Sequence, residues 1–157
     1  MTDDARFEDG REGPLNLGAE DADDLHVISS LCQDAVFPIT EMQWRAQERR
    51  FALLLNRFRW EDEGKTRHTP ERVRTVLAID NVLGVSSHGI DRADKDVILS
   101  LLSISFEAGE DAAGQIHLTL AGDGAIRLNV EALDATLKDV TKPYTAVSKS
   151  IPKHDLD

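Results

Sequence analysis

The chain has 157 residues, of which 41% are hydrophobic and 30% are charged, and its formal net charge is −11 at pH 7. This length suits one domain with one core, and the acidity excludes general nucleic-acid binding, which requires a positive surface. The sequence has no apolar run of about 20 residues, no signal-peptide pattern and no second cysteine to pair with Cys32. We therefore expect a cytoplasmic protein that does not bind membranes.

The N-terminal part of the chain divides into an acidic segment, a strand and a helix. Residues 1–13 are polar, acidic and without periodicity, which predicts a disordered N-terminus. Residues 14–18 predict a short edge strand, where an initial proline is tolerated. Apolar residues at helical spacing then predict a helix over residues 21–33, and the aspartates at its start favour its positive N-terminal dipole.

Strand patterns fill the middle of the chain. Two of these strands, over residues 50–60 and 97–106, carry apolar residues on both faces and therefore need cover on both sides. The predicted helices, or a second copy of the chain in a homodimer, are the available cover. The six predicted strands span residues 36–39, 42–44, 50–60, 73–79, 82–86 and 97–106.

A β-hairpin is predicted over residues 114–130. Apolar residues alternate with polar ones on both sides of the glycine-rich loop 122–124, which is typical of two antiparallel strands joined by a tight turn. The predicted register places Leu120 opposite Ile126, and Gly124 is expected to adopt the positive φ of the loop.

The same register predicts a polar group on the other face of the hairpin. It places His117 opposite Asn129 and Thr119 opposite Arg127. Such cross-strand pairs ordinarily stabilise a sheet. The alternative is a polar binding site on this face, which makes His117 and Arg127 candidate binding residues.

The C-terminal part of the chain predicts a second helix and a tail. Leu133 and Leu137 form an apolar stripe over residues 131–140, and a proline follows. Residues 141–157 lose the pattern and are expected to form a mobile tail. We therefore expect a single α+β domain over residues 14–140, in which a strongly bent antiparallel sheet or partly closed barrel carries an N-terminal and a C-terminal helix. This is the element order of pleckstrin-homology-like barrels.

No motif in the chain indicates a catalytic, metal or cofactor site. Residues 86–92 contain serine, histidine and aspartate, but adjacent side chains seldom converge on one point, so a turn explains this segment better. The five histidines are scattered without ligand spacing, and no phosphate-binding glycine loop occurs. We assign no catalytic residue, no metal and no cofactor, and retain His88 as a candidate binding residue.

A basic region lies within this acidic chain. Residues 45–74 contain nine bases and five acids, and residues 49–61 combine arginine with aromatic residues. This composition is typical of interface anchors and of sites for carboxylate or phosphate groups. It is equally typical of a strand end where arginine stems cover apolar surface. The candidate contact residues are Arg49, Arg50, Arg57 and Trp60.

Several strings resemble a known family. They are residues 24–29, 33–35, 49–61 and 89–91 together with the hairpin, and the resemblance spans roughly residues 14–145. The family that these strings resemble is a small bacterial one, domain of unknown function 2948. The resemblance implies a compact bacterial domain, and the family carries no activity, cofactor or catalytic residue that transfers to this chain.

The sequence favours a non-enzymatic binding module that contacts a protein partner or a small anionic ligand. Two alternatives remain open: an enzyme acting on a small anionic metabolite, and a homodimeric structural subunit. The enzyme would require a deep pocket that holds His88 or His117 beside a carboxylate.

Overall fold

The computed structural model describes residues 14–60, 71–142 and 144–145. Within them, eleven strands form one antiparallel sheet, and one α-helix packs against it. No helix in this part of the chain has the length and apolar character that a membrane span requires. The elements are β1 (Asn16–Ala19), α1 (Ala22–Leu31), β2 (Ala35–Pro38), β3 (Met42–Arg45), β4 (Arg50–Phe58), β5 (Glu71–Ile79), β6 (Val82–His88), β7 (Ile98–Ala108), β8 (Gly114–Leu120), β9 (Ala125–Val130), β10 (Ala135–Asp139) and β11 (Tyr144–Thr145).

The sheet is not closed into a barrel. Its strand order is β1-β10-β5-β4-β2-β7-β8-β9-β6, with β3 paired to the first half of β4 and β11 paired to the start of β5. The predicted antiparallel sheet is therefore confirmed. Its two terminal strands, β1 and β6, do not pair with each other, so the described strands do not form a closed barrel. Among the described strands, β6 pairs only with β9 and β3 pairs only with β4, so each keeps one unpaired edge.

The predicted N-terminal helix is confirmed as α1. Asp21 caps it, because its side-chain oxygen accepts a hydrogen bond from the Asp24 N–H at 2.8 Å. Leu25 and Ile28 are buried on the face that packs towards β7. Ser29 Oγ also accepts a hydrogen bond from a β7 backbone N–H at 2.9 Å, so α1 covers part of this two-faced strand.

The predicted C-terminal helix is wrong, because residues 135–139 form the strand β10. Buried and exposed residues alternate along β10, and it pairs with β1 on one side and β5 on the other. Leu133 and Leu137 are four residues apart, a spacing that fits both a helix and a strand in so short a segment. Pairing with two neighbouring strands decides between them, and that pairing is not visible in a local pattern.

The hairpin is confirmed, but its predicted register is wrong by two residues. Leu118 lies opposite Ile126, and the positive φ values belong to Gly122 (81°) and Asp123 (70°), not to Gly124. Alternation fixes which face a side chain occupies, and a shift of two residues leaves every face unchanged. The turn geometry, not the apolar pattern, therefore sets the register.

The remaining predicted strands are confirmed with small changes at their ends, and the first, β1, is an edge strand as expected. Residues 144–145 pair with β5 as β11, so the sheet continues beyond the expected boundary at residue 140. The predicted disorder of residues 1–13 and most of the predicted tail lie outside the described residues.

The core lies on one face of the sheet, here called the inner face. Along β4, Phe51, Leu53 and Leu55 face inward and are almost fully buried, while Leu54 and Asn56 face outward and are half-buried. The inner faces of β8 and β9 contribute further buried aliphatic residues. Because the sheet is not closed, part of this apolar inner face lies beside the open edges of β3 and β6.

Candidate functional site

Arg57 lies in the core and not on an exposed contact surface, which corrects the expectation from the sequence. None of its surface is exposed. Its Nε donates to Thr75 Oγ1 at 3.0 Å, and its Nη2 donates to Asp139 Oδ1 at 3.0 Å. Thr75 Oγ1 donates to the same Asp139 oxygen at 2.8 Å, and the Leu15 N–H donates to Asp139 Oδ2 at 2.9 Å. This network joins β4, β5 and β10 to the chain before β1.

The other arginines between residues 45 and 59 also form ion pairs with acidic side chains. The hydrogen bond and the negative charge of Asp80 raise the pKa of the Arg50 guanidinium. These pairs neutralise charge that the sequence suggested was available to a partner. The ion pairs join Arg45 to Glu48 at 3.5 Å, Arg49 to Glu131 at 2.9 Å, Arg50 to Asp80 at 2.8 Å and Arg59 to Glu71 at 2.8 Å.

Trp60 is half-buried and held by two contacts. Its indole Nε1 donates to the backbone oxygen of Gln33 at 3.0 Å, and its ring centroid lies 5.5 Å from that of Phe58. The Arg72 guanidinium in turn lies 3.9 Å from the Phe58 ring centroid. The two aromatic side chains therefore stabilise the end of β4, and the Arg72 guanidinium packs on one of them.

His88, His117 and Arg127 lie on the outer face of the strands β6, β8 and β9. The corrected register places His117 opposite Arg127, not Asn129, and its Nε2 lies 2.9 Å from Glu107 Oε1. This histidine–carboxylate pair matches the geometry expected of the enzyme alternative, but the pair lies on an exposed sheet face. His88 ends β6 in an exposed position. The structure does not bring these residues together with Arg49 and Arg50.

A cleft of about 690 Å³ opens on the inner face, between β3 and β6. Its volume falls in the range of about 300–1,000 Å³ that small-ligand sites occupy. Most of its lining is apolar, and its charged lining residues are both basic. The lining residues are Ile39, Thr40, Met42, Trp44, Phe51, Val85, Ser87, Arg92, Lys95 and Ile126.

The cleft changes from apolar to polar along its length. At one end, the Val82 N–H donates to the Arg49 backbone oxygen at 2.9 Å, which ties the start of β6 to the turn after β3. At the other end, the Ile39 N–H donates to the Val97 oxygen at 3.0 Å, which ties the start of β3 to the loop after β6. The two strands therefore run in opposite directions along the cleft.

The lining side chains therefore differ between the two ends of the cleft. Met42 and Trp44 on β3, and Val85 on β6, lie towards the apolar end, where Phe51 forms the floor. The polar end carries Thr40, Ser87, Arg92 and Lys95. Ile39, which precedes Thr40, and Ile126, which lies opposite Ser87, contribute apolar surface at this end as well.

The two cations occupy equivalent positions in two consecutive turns. Asp91 Oδ1 accepts the Ala93 N–H at 3.1 Å, and Asp94 Oδ1 accepts the Asp96 N–H at 3.1 Å. The backbone oxygens of Asp91 and Asp94 each accept an N–H three residues on. Each aspartate therefore bonds its own turn, and Arg92 and Lys95 follow the two aspartates. Neither cation forms an ion pair with another residue in the described ranges.

Sequence reasoning missed these cleft residues. The segment 91–97 has three acids and two bases, so its net charge concealed the cations. The repeated spacing of Asp91-Arg92 and Asp94-Lys95 is the signal that predicts two turns with bases at matching positions. Within the described residues, no group of three histidine, cysteine or acidic side chains is placed to hold a metal ion.

The comparisons with known proteins give one match. The family model described as Protein of unknown function (DUF2948) matches residues 15–154, which is almost the whole chain. No curated protein and no solved structure matches the chain.

Proposed function

The chain belongs to the DUF2948 family, and from that premise we propose that it is a non-enzymatic binding module whose cleft receives a small amphipathic anion. The observation that carries this proposal is the cleft itself, where an apolar floor leads to two cations, Arg92 and Lys95, that form no ion pair with any residue the structure describes. A ligand with an apolar body and an anionic group at one end fits both parts.

The apolar part of the cleft supplies binding energy. Trp44 is 37% exposed although its neighbour across the strand pair, Phe51, is buried. An apolar ligand that covers about 200 Å² here gains about 5 kcal/mol before the cost of association. Trp44 and Met42 thus have the character of ligand contacts.

The cationic end fixes the orientation of the ligand. Arg92 and Lys95 are both exposed, so they attract an anion from solvent with an energy that salt screens, and their position at one end of the cleft sets the direction of the ligand. Asp91 and Asp94 in the same loop each accept a backbone N–H of their own turn, and neither they nor Asp96 form an ion pair with the two cations in the described ranges.

The experiment uses two dyes of similar shape. The anionic dye 1-anilinonaphthalene-8-sulfonate has an aromatic body and a sulfonate, and N-phenyl-1-naphthylamine has a similar body without charge. We expect saturable binding of the anionic dye, with energy transfer from Trp44 in a Trp60→Phe variant, where Trp44 is the one remaining tryptophan of two. Removing both cations, Arg92→Ala with Lys95→Ala, is expected to weaken the anionic dye about tenfold and the neutral dye less than about twofold.

Arg127→Ala is the matched control, because this arginine is exposed on the outer face and forms no ion pair with another described residue. It removes one positive charge without touching the cleft and is expected to leave the binding of both dyes unchanged. An equal loss for Arg127→Ala and for the cleft variant, or no saturable binding of the anionic dye, contradicts the proposal. Circular dichroism checks that each variant is folded.

A protein partner at β6 is the second candidate. The edge of β6 that faces away from β9 has no partner strand among the described residues, and Leu83 on β6 is 54% exposed. Added strands pair with such edges. Affinity capture with the wild-type chain and with Leu83→Lys tests this role, and identical captured proteins would contradict it.

A further inference from the structure

The polar end of the cleft contains more donors than a carboxylate uses. Two hydroxyl groups, from Thr40 and Ser87, line the cleft together with Arg92 and Lys95. Thr40 follows Ile39, whose N–H donates to the backbone oxygen of Val97, so it lies where the cationic loop ends. Ser87 is on the inner face of β6, immediately before that loop.

We propose that the anionic group of the ligand is a phosphate monoester carried on an apolar body. This inference rests on the proposed function and specifies the chemistry of the same site. A phosphate monoester carries a charge of about −1.5 to −2 at pH 7 and three acceptor oxygens. The two cations, which have no ion pair among the described residues, match that charge, and the four lining side chains supply enough donors for three oxygens.

A carboxylate leaves part of this end unused. Its single charge and two oxygens are satisfied by the fork of one guanidinium, and Arg92 supplies such a fork. Lys95 and both hydroxyl groups would then have no acceptor on the ligand. A sulfate ester has the tetrahedral shape of a phosphate but one charge, which makes it the natural test of whether charge or shape decides.

The experiment compares ligands with one chain and different end groups. Octyl phosphate, octyl sulfate, octanoate and inorganic phosphate displace 1-anilinonaphthalene-8-sulfonate from the full chain in parallel titrations. We expect octyl phosphate to bind about tenfold more tightly than octyl sulfate or octanoate. Inorganic phosphate is expected to bind at least about tenfold more weakly than octyl phosphate, because it lacks the apolar body. That arm distinguishes a free phosphate from a phosphorylated amphiphile.

Lys95→Ala removes one of the two charges and keeps the fork of Arg92. We expect it to reduce the preference for octyl phosphate over octyl sulfate to about twofold or less, while Arg127→Ala keeps the full preference. Thr40→Val provides a second variant that retains both charges, and it is expected to weaken octyl phosphate about threefold and octanoate less.

The outcomes separate the two proposals. Equal binding of octanoate and octyl phosphate overturns the phosphate inference and leaves the proposed function standing. Failure of every alkyl anion and of the dye overturns both. Inorganic phosphate that binds as tightly as octyl phosphate contradicts the need for an apolar body.

Discussion

Two groups of positively charged side chains in this molecule differ in whether acidic side chains neutralise them. The arginines of residues 45–59 are paired with acids, and the extreme case, Arg57, is fully buried against Asp139. The cations of the loop after β6, Arg92 and Lys95, line a cleft and form no such pair within the part of the chain that the structure describes.

The difference teaches that the density of arginine in a sequence does not measure the charge available to a partner. Two of the acids that neutralise the first group come from distant parts of the chain, since Glu131 and Asp139 lie 82 residues from the arginines they bind, whereas Glu48 lies three residues from Arg45. Two of the three acids beside the second group, Asp91 and Asp94, each accept a backbone N–H of their own turn. In the first region, ion pairs neutralise the arginines. In the second region, the two cations have no such pair among the described residues and remain available to a ligand.

The largest expected effect breaks the paired group at Arg57. Arg57→Ala leaves the Asp139 carboxylate buried beside Thr75 without its cation, so we expect a loss of about 3–5 kcal/mol in the free energy of unfolding. Urea denaturation measures it. Arg127→Ala, which removes an exposed arginine that forms no ion pair with another described residue, is the control and should stay within about 0.5 kcal/mol of wild type. Similar losses in both variants would mean that the buried network contributes no more to the free energy of unfolding than an exposed arginine does.

The second effect concerns the support of the cationic loop. Gly89 begins the segment between β6 and the two turns, with φ at +75°, and a Cβ there would lie 2.9 Å from the Asp123 backbone oxygen. Gly89→Ala is therefore expected to lower the free energy of unfolding by about 1–3 kcal/mol. Gly18→Ala meets nothing closer than 3.9 Å and should cost less than about 1 kcal/mol. Thermal unfolding of the two variants compares them, and equal losses would contradict the account.

A smaller effect sharpens the role of the two turns. Asp94→Ala removes the carboxylate that holds the Asp96 N–H, so Lys95 is less well positioned at the cleft. We expect 1-anilinonaphthalene-8-sulfonate to bind about twofold to fivefold more weakly. Removal of a negative charge alone would strengthen the binding of an anion, and Glu110→Ala in the exposed loop between β7 and β8 controls for that change. Stronger binding by the Asp94→Ala variant would show that its charge, and not its turn, matters.

The smallest effect belongs to an exposed pair. Arg49 and Glu131 lie 2.9 Å apart with more than half of each side chain exposed. Arg49→Ala should change the free energy of unfolding by less than about 1 kcal/mol and leave dye binding unchanged, because solvent and salt screen such pairs. Denaturation in low and high salt measures the first part, and weaker dye binding would place Arg49 in the ligand site.

Local patterns in the sequence predicted the elements that depend on neighbours along the chain. The helix α1, the alternation along β4 and the hairpin are such cases. They did not predict β10, whose strand form depends on pairing with β1 and β5, or the register of the hairpin, which its turn determines.

The candidate site depended still more on long-range contacts. Arg57 lies on the inner face with the apolar residues of β4, as the alternation indicates, but its burial follows from Asp139 and Thr75 on other strands. The cleft unites residues from β3, β6 and the loop that follows, and no window of sequence contains all three. The acids in that loop also concealed its two cations in any local sum of charge.

The most direct test of the central claim follows arginine side chains during a titration. Two-dimensional nitrogen–proton spectra of the labelled chain record the Nε–Hε group of each ordered arginine as 1-anilinonaphthalene-8-sulfonate is added. The account predicts a saturable shift for Arg92 and for the backbone N–H of Lys95, with Arg49, Arg50 and Arg57 unchanged. Saturable shifts of Arg49 and Arg50, with Arg92 unmoved, would contradict it.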